Sequence, residues 1–311
     1  MDLQVGWDVD ALKIITQSVE GDGYHFQLTP GGFFAMQHLY MHVYLGDVRQ
    51  TGKNHFLTSS NEEAPILKAL DQLEMMGCGL TLLPVDTNGI IDLKALDASI
   101  RAKTALLSFS AVNALTGVVQ PVAEIVKICH AKGVKVHVNA NDAIVTWGVS
   151  LKEWEVDYLT FGKALFSKEA IREGIVDPEE LNALAQELTT IAAKRETYAM
   201  ESARLRSELE EELKRAIPDC QIIGSEVARV PHICAVAFPG LMNEALQYLL
   251  HRQNIVSSIG GGEYQTLSHI LNDAGAISLR LKDTVFEEEM RNLLNALVTS
   301  VRKLQKMSVM L

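Results

Sequence analysis

The stretch TFGKALFSKEA, residues 160–170, places a lysine, Lys163, directly after the apolar run VDYLTF. An amine at the end of a buried strand is positioned to form an imine with a carbonyl compound, whereas on a surface turn the same lysine is only a solvated charge. His38 and His42 in HLYMH lie four apart, a spacing that can grip a metal from one helical face. Leu39 stands where a metalloprotease helix needs glutamate, so ordinary histidines are the favoured reading. TPGG, residues 29–32, precedes the helical run FFAMQHLYMHVY, and glycines at a helix start can turn backbone N–H groups toward a phosphate. GGG at 260–262, after NIVSSI, reads as a flexible loop or a tight turn. Cys78, Cys129, Cys220 and Cys234 are far apart with no C-x-x-C pair, which argues against a zinc knuckle or a disulfide framework. Cys129 and Cys234 read as small buried hydrophobes, and Cys78 sits between two glycines in a turn.

Elements that position these groups follow from the apolar pattern. HFLTSS, LTLLPVD, TALLSFSAV, KVHVNA and DYLTF read as strands. EEAPILKALDQLEMM, DLKALDASIRA and PVAEIVKICHAKG read as the helices between them. Continuous apolar strands separated by helices predict a mainly parallel sheet covered on both faces, with its ligand crevice at the strand carboxyl ends. Asp177 and Pro178 open a long helical region rich in Leu, Glu and Arg. Beyond it, ICAVAF and AISLRL read as strands, and MNEALQYLLHRQ and VFEEEMRNLLNALVTSVRKLQ as helices.

The chain has 311 residues, 48% hydrophobic and 22% charged, with a formal charge of -11. This balance suits a soluble α/β protein and argues against a nucleic-acid or anionic-membrane surface. No basic start with an apolar run opens the sequence, and no stretch nears the roughly 18 apolar residues of a membrane span, so a cytoplasmic location is expected.

Order and spacing carry a further signal. LPVDTNGIIDLKALDASI, NALTGVVQPVAEIVKICHAKGVKVHVNANDAI and VDYLTF, then VPHICAVAFPGLMNEAL, NIVSSI, LSHIL and the last helix, together resemble the cysteine desulfurases. These are class V aminotransferase-group members of the fold-type-I pyridoxal-phosphate enzymes. The resemblance covers most of the chain from about residue 50, while the stretch before TPGG does not match the family's opening strand and cofactor-proximal loop. It implies a fold-type-I α/β architecture: a large, truncated domain at 1–175, a helical connector at 176–216 and a smaller α+β domain at 217–311.

Carried over position by position, the resemblance implies a pocket that has lost its chemistry. The Schiff-base lysine of the family's Ser-Gly-His-Lys falls on Leu165, its histidine on Ala164 and its phosphate-binding serine on Gly162. The acid that partners the pyridine nitrogen falls on Asn139, and the glutamine at the cofactor's phenolic oxygen on Asp142. The ring-stacking histidine becomes Glu63, and an asparagine near the ring becomes Ala114. Two phosphate-binding threonines become Phe33 and Ile175, the second of these supplied across the family's dimer. The sulfur-attacking loop cysteine falls on Gly262. The arginine for the substrate carboxylate aligns with Ser278, with Arg280 two residues on along the same side of the strand and able to meet an anion.

Leucine forms no imine, a neutral asparagine cannot hold the ring nitrogen protonated, and Glu63 would set a negative charge where the family stacks an imidazole, near a dianionic phosphate. The expectation is therefore a catalytically inactive desulfurase-like protein with no cofactor. It would act as a dimeric structural, regulatory or partner-binding module connected with sulfur metabolism. Its partners would be a second copy, an active desulfurase, or a sulfur-acceptor or scaffold protein. The competing expectation shifts the alignment by two residues, makes Lys163 the Schiff-base lysine, and gives an active pyridoxal-phosphate desulfurase, lyase or aminotransferase.

Overall fold

In the computed structural model, which describes residues 9–171, 177–282 and 287–308, the chain divides into two compact units. The first takes in the chain up to Asp86, then Ile90–Ala111 and Gln120–Glu196. The second takes Thr87–Gly89, Val112–Val119 and the chain from Thr197 onward.

The first unit opens with α1 (Val9–Ser18), β1 (His25–Leu28) and α2 (Gly32–Val43), which runs through a π-helical turn, Tyr44–Val48, into α3 (Arg49–Thr51). The stretch before TPGG, outside the family resemblance, thus supplies a helix and a strand. There follow β2 (His55–Ser59), α4 (Ala64–Met75), β3 (Gly79–Leu83), α5 (Leu93–Ser99), β4 (Thr104–Ser110), α6 (Val122–Ala131) and β5 (Lys135–Asn139). The short helices α7 (Ala143–Thr146) and α8 (Leu151–Trp154) precede β6 (Tyr158–Phe161) and β7 (Ala164–Ser167). Last comes the long α9 (Pro178–Ala216), of which residues up to Glu196 belong to this unit.

The seven strands pair in the order β1-β7-β6-β5-β4-β2-β3. The β2–β3, β2–β4, β4–β5 and β5–β6 pairs are parallel, and β7 runs antiparallel to both of its neighbours. All seven residues of β4 are buried, as a strand covered on both faces requires. Ile66, Ala69, Leu70 and Leu73 of α4 recur at helical spacing and bury against Ala35, Leu39 and Val43 of α2 in one apolar cluster. Asp92 starts α5 by accepting from the backbone N–H groups of Lys94 and Ala95.

The connection from β6 to β7 sets the geometry of the site. Phe161 pairs directly with Ala164, so only Gly162 and Lys163 form the turn. Gly162 has φ +50°, a left-handed conformation that favours glycine at the first position of a two-residue hairpin.

In the second unit β8 (Gln221–Ile222), β9 (Ile233–Ala237) and β10 (Ala276–Arg280) form an antiparallel sheet in the order β10-β9-β8. Its helices are α10 (Asn243–His251), α11 (Ser268–Ala274) and α12 (Glu287–Ser308), with a 3₁₀ turn at Gly262–Leu267. Leu205, Leu209 and Leu213, one stripe of α9, share a core with Leu246, Leu250, Leu297 and Val301. Arg229 donates from both terminal nitrogens to the Glu210 carboxylate, at 2.9 and 3.1 Å, a two-pronged pair with the arginine side chain nearly buried.

Candidate functional site

A parallel sheet gathers its functional groups at the carboxyl ends of its strands, because the loops there leave the helices on both sides open. In the first unit this edge carries a buried polar cluster. β2 ends at Ser59, and the chain then passes through Glu62 and Glu63 before α4 starts at Ala64, with Pro65 in its first turn. Glu62 is 2% exposed. Its carboxylate accepts from Ser110 N at 2.8 Å, Ser110 Oγ at 2.5 Å and Glu63 N at 2.9 Å. Burial outweighs these three donors and pushes its pKa up to about 7.

Glu63 is buried beside it, and the Asn139 side-chain amide at the end of β5 points to Glu63 Oε2 at 3.5 Å and to Ser110 Oγ at 3.2 Å. Two positions singled out in the sequence, Glu63 and Asn139, are thus brought together by β2, β4 and β5. Asp142 is also buried, immediately before α7.

Below this edge a hydrogen-bonded chain crosses the sheet. Tyr40 Oη meets Ser108 Oγ at 2.5 Å, Ser108 Oγ meets His137 Nδ1 at 2.7 Å, and His137 Nε2 meets Thr160 Oγ1 at 2.9 Å. Desolvation holds the fully buried His137 neutral, with its pKa down at about 3.

Lys163 projects from the hairpin turn into solvent and donates from Nζ to Glu180 Oε1 at 2.8 Å, with 44% of its side chain exposed. It lines a trough of about 390 Å³ in the first unit with Leu28, Asn141, Phe161 and the apolar side of α9. Asn141 Oδ1 accepts from Gly162 N at 2.7 Å and fixes the turn. Thr29 of TPGG donates from its backbone N and from Oγ1 to the Lys163 carbonyl oxygen, at 2.8 and 3.0 Å. A Cβ on Gly32 would stand 3.1 Å from the Gly162 carbonyl oxygen. Gly32 at the start of α2 therefore lets the helix abut this turn.

Leu165 and Ala164 lie in β7, fully buried, and Leu165 pairs with Gln27 on one side and Thr160 on the other. Phe33 packs on the cluster that contains Leu165, so these two positions share one apolar core. In the second unit Gly262 opens the 3₁₀ turn, and Arg280 Nη2 donates to the Ala114 carbonyl oxygen at 2.8 Å with its guanidinium 5.9 Å from the Tyr264 ring centre. Ser278 is buried and exchanges two backbone bonds of 2.8 Å with Ser258. Ile175 lies outside the described residues. His42 Nε2 meets Glu169 Oε1 at 3.2 Å, a contact to an acid that the HLYMH spacing does not foretell.

Sequence reasoning missed Glu62, Asn141 and His137. Glu62 and Asn141 sit next to positions that were singled out, in SNEEAP and NAND, where the available signal was a run of polar residues just past an apolar strand, whereas His137 is a polar residue inside β5, two before Asn139.

Residues 37–164 match the aminotransferase class-V family. A cysteine desulfurase of Nostoc sp. is 28% identical over 255 residues, covering 73% of this chain and 64% of the relative. The cysteine desulfurase IscS of Salmonella arizonae is 40% identical over 107 residues, 34% of this chain and 26% of the relative. The chain thus spans less than two thirds of the length of these curated relatives. Among solved structures, a NifS-like protein superposes with TM-score 0.82 at 22% identity, over 95% of this chain and 87% of the other. The apo structure of a cysteine desulfurase from Thermococcus onnurineus gives TM-score 0.78 at 16% identity, over 95% and 84%.

The chain therefore shares its fold with the NifS-like protein and with the cysteine desulfurase of Thermococcus onnurineus. In sequence it is cysteine-desulfurase-like, with the similarity to class-V aminotransferases confined to residues 37–164.

Proposed function

We propose that this chain is a desulfurase-like protein without desulfurase activity, acting in the cytoplasm as a dimeric regulatory or partner-binding module of sulfur metabolism. The observation that carries the reading is the placement of the two candidate imine positions. Leu165 lies inside the sheet, and Lys163 is a turn residue whose ammonium is paired with Glu180. Imine formation requires an amine free to meet a carbonyl, and Lys163 Nζ is engaged by Glu180 Oε1 at 2.8 Å.

The residues at the strand ends do not fit pyridoxal phosphate as the family holds it. A buried carboxyl group, Glu63, stands where a ring-stacking group is expected, and Asn139 offers a neutral amide where the ring nitrogen needs an acid. Gly262 supplies no thiol, and the four cysteines are all buried free thiols. No described helix is long and apolar enough to cross a membrane. Phe34, Met41 and Leu45 remain exposed along α2 and its π-helical extension, which supports association with a second copy or with an active desulfurase.

One observation favours the competing reading of an active enzyme: Lys163 borders a trough at the strand carboxyl ends. Incubating the purified chain with cysteine and excess pyridoxal phosphate decides between them. The expected rate of sulfide release equals that of free pyridoxal phosphate, and release well above it would overturn the proposal. Light scattering tests the assembly, with a dimer or a complex with an active desulfurase expected. A monomer that ignores the desulfurase would remove the partner-binding reading.

A further inference from the structure

The trough beside the β6–β7 turn is lined from β6 and α7 by Phe161, Ile144 and Val145, and from the first half of α9 by Leu184, Leu188 and Ile191. The three α9 positions are four and three residues apart, so they form one apolar stripe of the helix. The volume of about 390 Å³ falls at the small end of the range for ligand sites.

Three charged side chains also line the trough: Lys163, Glu180 and Glu187. Lys163 and Glu180 neutralise each other across 2.8 Å. Glu187 is placed differently. It interrupts the apolar stripe, and its neighbours one helical turn away are Ala183, Leu184, Thr190 and Ile191, none of them a cation. Ala183, Leu184 and Ile191 themselves line the trough. Farther along α9, by contrast, Glu201 and Glu208 both pair with Arg204, and Glu212 pairs with Arg215. Among the described residues Glu187 has no hydrogen bond or ion pair. The Lys163 ammonium is held at Glu180, seven residues and about 10 Å back along the helix axis. The charged groups of the trough therefore leave one uncompensated negative charge, set within an apolar wall.

Glu187 is exposed, so water solvates its carboxylate while the trough is open. An apolar molecule entering the trough displaces part of that water, which is unfavourable unless the molecule brings a donor to the carboxylate. An ammonium group supplies a donor and an opposite charge together. A carboxylate or a phosphate monoester brings like charge instead.

We propose that this trough binds an apolar monoamine in its ammonium form, with its hydrocarbon against Phe161, Ile144 and Leu188 and its ammonium on the Glu187 carboxylate. The site extends the reading above from partner to ligand, and it rests on pyridoxal phosphate not occupying the same crevice. Failure of that reading registers separately, as cysteine-dependent sulfide or a reduced lysine adduct.

Titration calorimetry of the full chain at neutral pH with octylammonium, octanol and octanoate, which share one hydrocarbon, tests the proposal. Octylammonium is expected to bind at one per chain and about tenfold more tightly than octanoate, because attraction to Glu187 is exchanged for repulsion, with octanol between them. Glu187→Gln is expected to bring that ratio below about threefold. Glu179→Gln removes the same charge from α9 at a position outside the trough and is expected to leave the ratio unchanged. Leu184→Trp fills the trough and is expected to abolish binding of all three. Equal affinities, several octylammonium ions per chain, no binding, or an equal fall in the ratio for the Glu179 and Glu187 variants would overturn the assignment. Should Leu184→Trp not fold, the Glu187→Gln and Glu179→Gln pair decides alone.

Discussion

Lys163 Nζ stands 2.8 Å from Glu180 Oε1, and this bond ties the β6–β7 turn to the first turn of α9. Both side chains are about half exposed, 44% and 41%, so solvent screens the pair heavily. Such pairs contribute about 0–1 kcal/mol. Glu180→Gln is expected to change the unfolding free energy by less than about 1 kcal/mol in a urea titration. A loss above about 2 kcal/mol would mean that the pair holds the turn and α9 together.

Leu165 is expected to behave as a core residue. Leu165→Ala removes a fully buried side chain from β7 and is expected to cost about 2–5 kcal/mol. Leu165→Lys, which puts an amine at the position the family resemblance assigns to the Schiff base, buries a charge inside the sheet and is expected to be worse than the alanine variant. A folded Leu165→Lys protein that turns yellow with pyridoxal phosphate would contradict this placement.

Glu62 and His137 oppose each other in their effect on stability. Glu62 has its pKa raised from 4.5 to about 7, so its contribution is full below 4.5 and is lost as pH rises toward 7. His137 has its pKa lowered from 6.5 to about 3, so its contribution is full above 6.5 and is lost as pH falls toward 3. Between pH 4.5 and 6.5 the two slopes cancel, and these groups predict a plateau in that window. Glu62→Gln keeps an acceptor for Ser110 and removes the titration. Its stability is expected to rise by roughly 1.4 kcal/mol per pH unit across the same window. Denaturant titrations at pH 4.5, 5.5 and 6.5 check this, and an unchanged plateau in the variant would remove Glu62 from the account.

The Arg229–Glu210 pair in the second unit carries a sharper cost. Glu210→Ala leaves the nearly buried Arg229 guanidinium without its two-pronged acceptor. A loss of about 3–5 kcal/mol is expected on thermal unfolding. A loss below about 1 kcal/mol would mean that solvent reaches the pair freely.

How much was legible in the sequence depended on element length and on what fixed each position. TALLSFSAV and KVHVNA were readable as β4 and β5 because a strand buried on both faces needs an unbroken apolar run. The helices α4 and α6 showed in the spacing of Ile66, Leu70 and Leu73 and of Val122, Ile125 and Cys129. β1 and β7 did not show. Each has four residues, HFQL and ALFS, and their identity as strands comes from pairing with each other, which no local pattern encodes. Aligned without gaps, Ala164 and Leu165 took the positions of the family's histidine and Schiff-base lysine, and the two-residue hairpin carries both into the sheet. In the site, Glu63 and Asn139 were legible as odd residues on a familiar framework. Glu62 was hidden because its role depends on Ser110, 48 positions away.

The most direct test of the central claim is chemical. The purified protein, incubated with excess pyridoxal phosphate and reduced with borohydride, is expected to show no imine absorbance before reduction and no pyridoxyl-lysine peptide by mass spectrometry. A stoichiometric adduct mapped to Lys163 would contradict the account and make this chain a pyridoxal-phosphate enzyme.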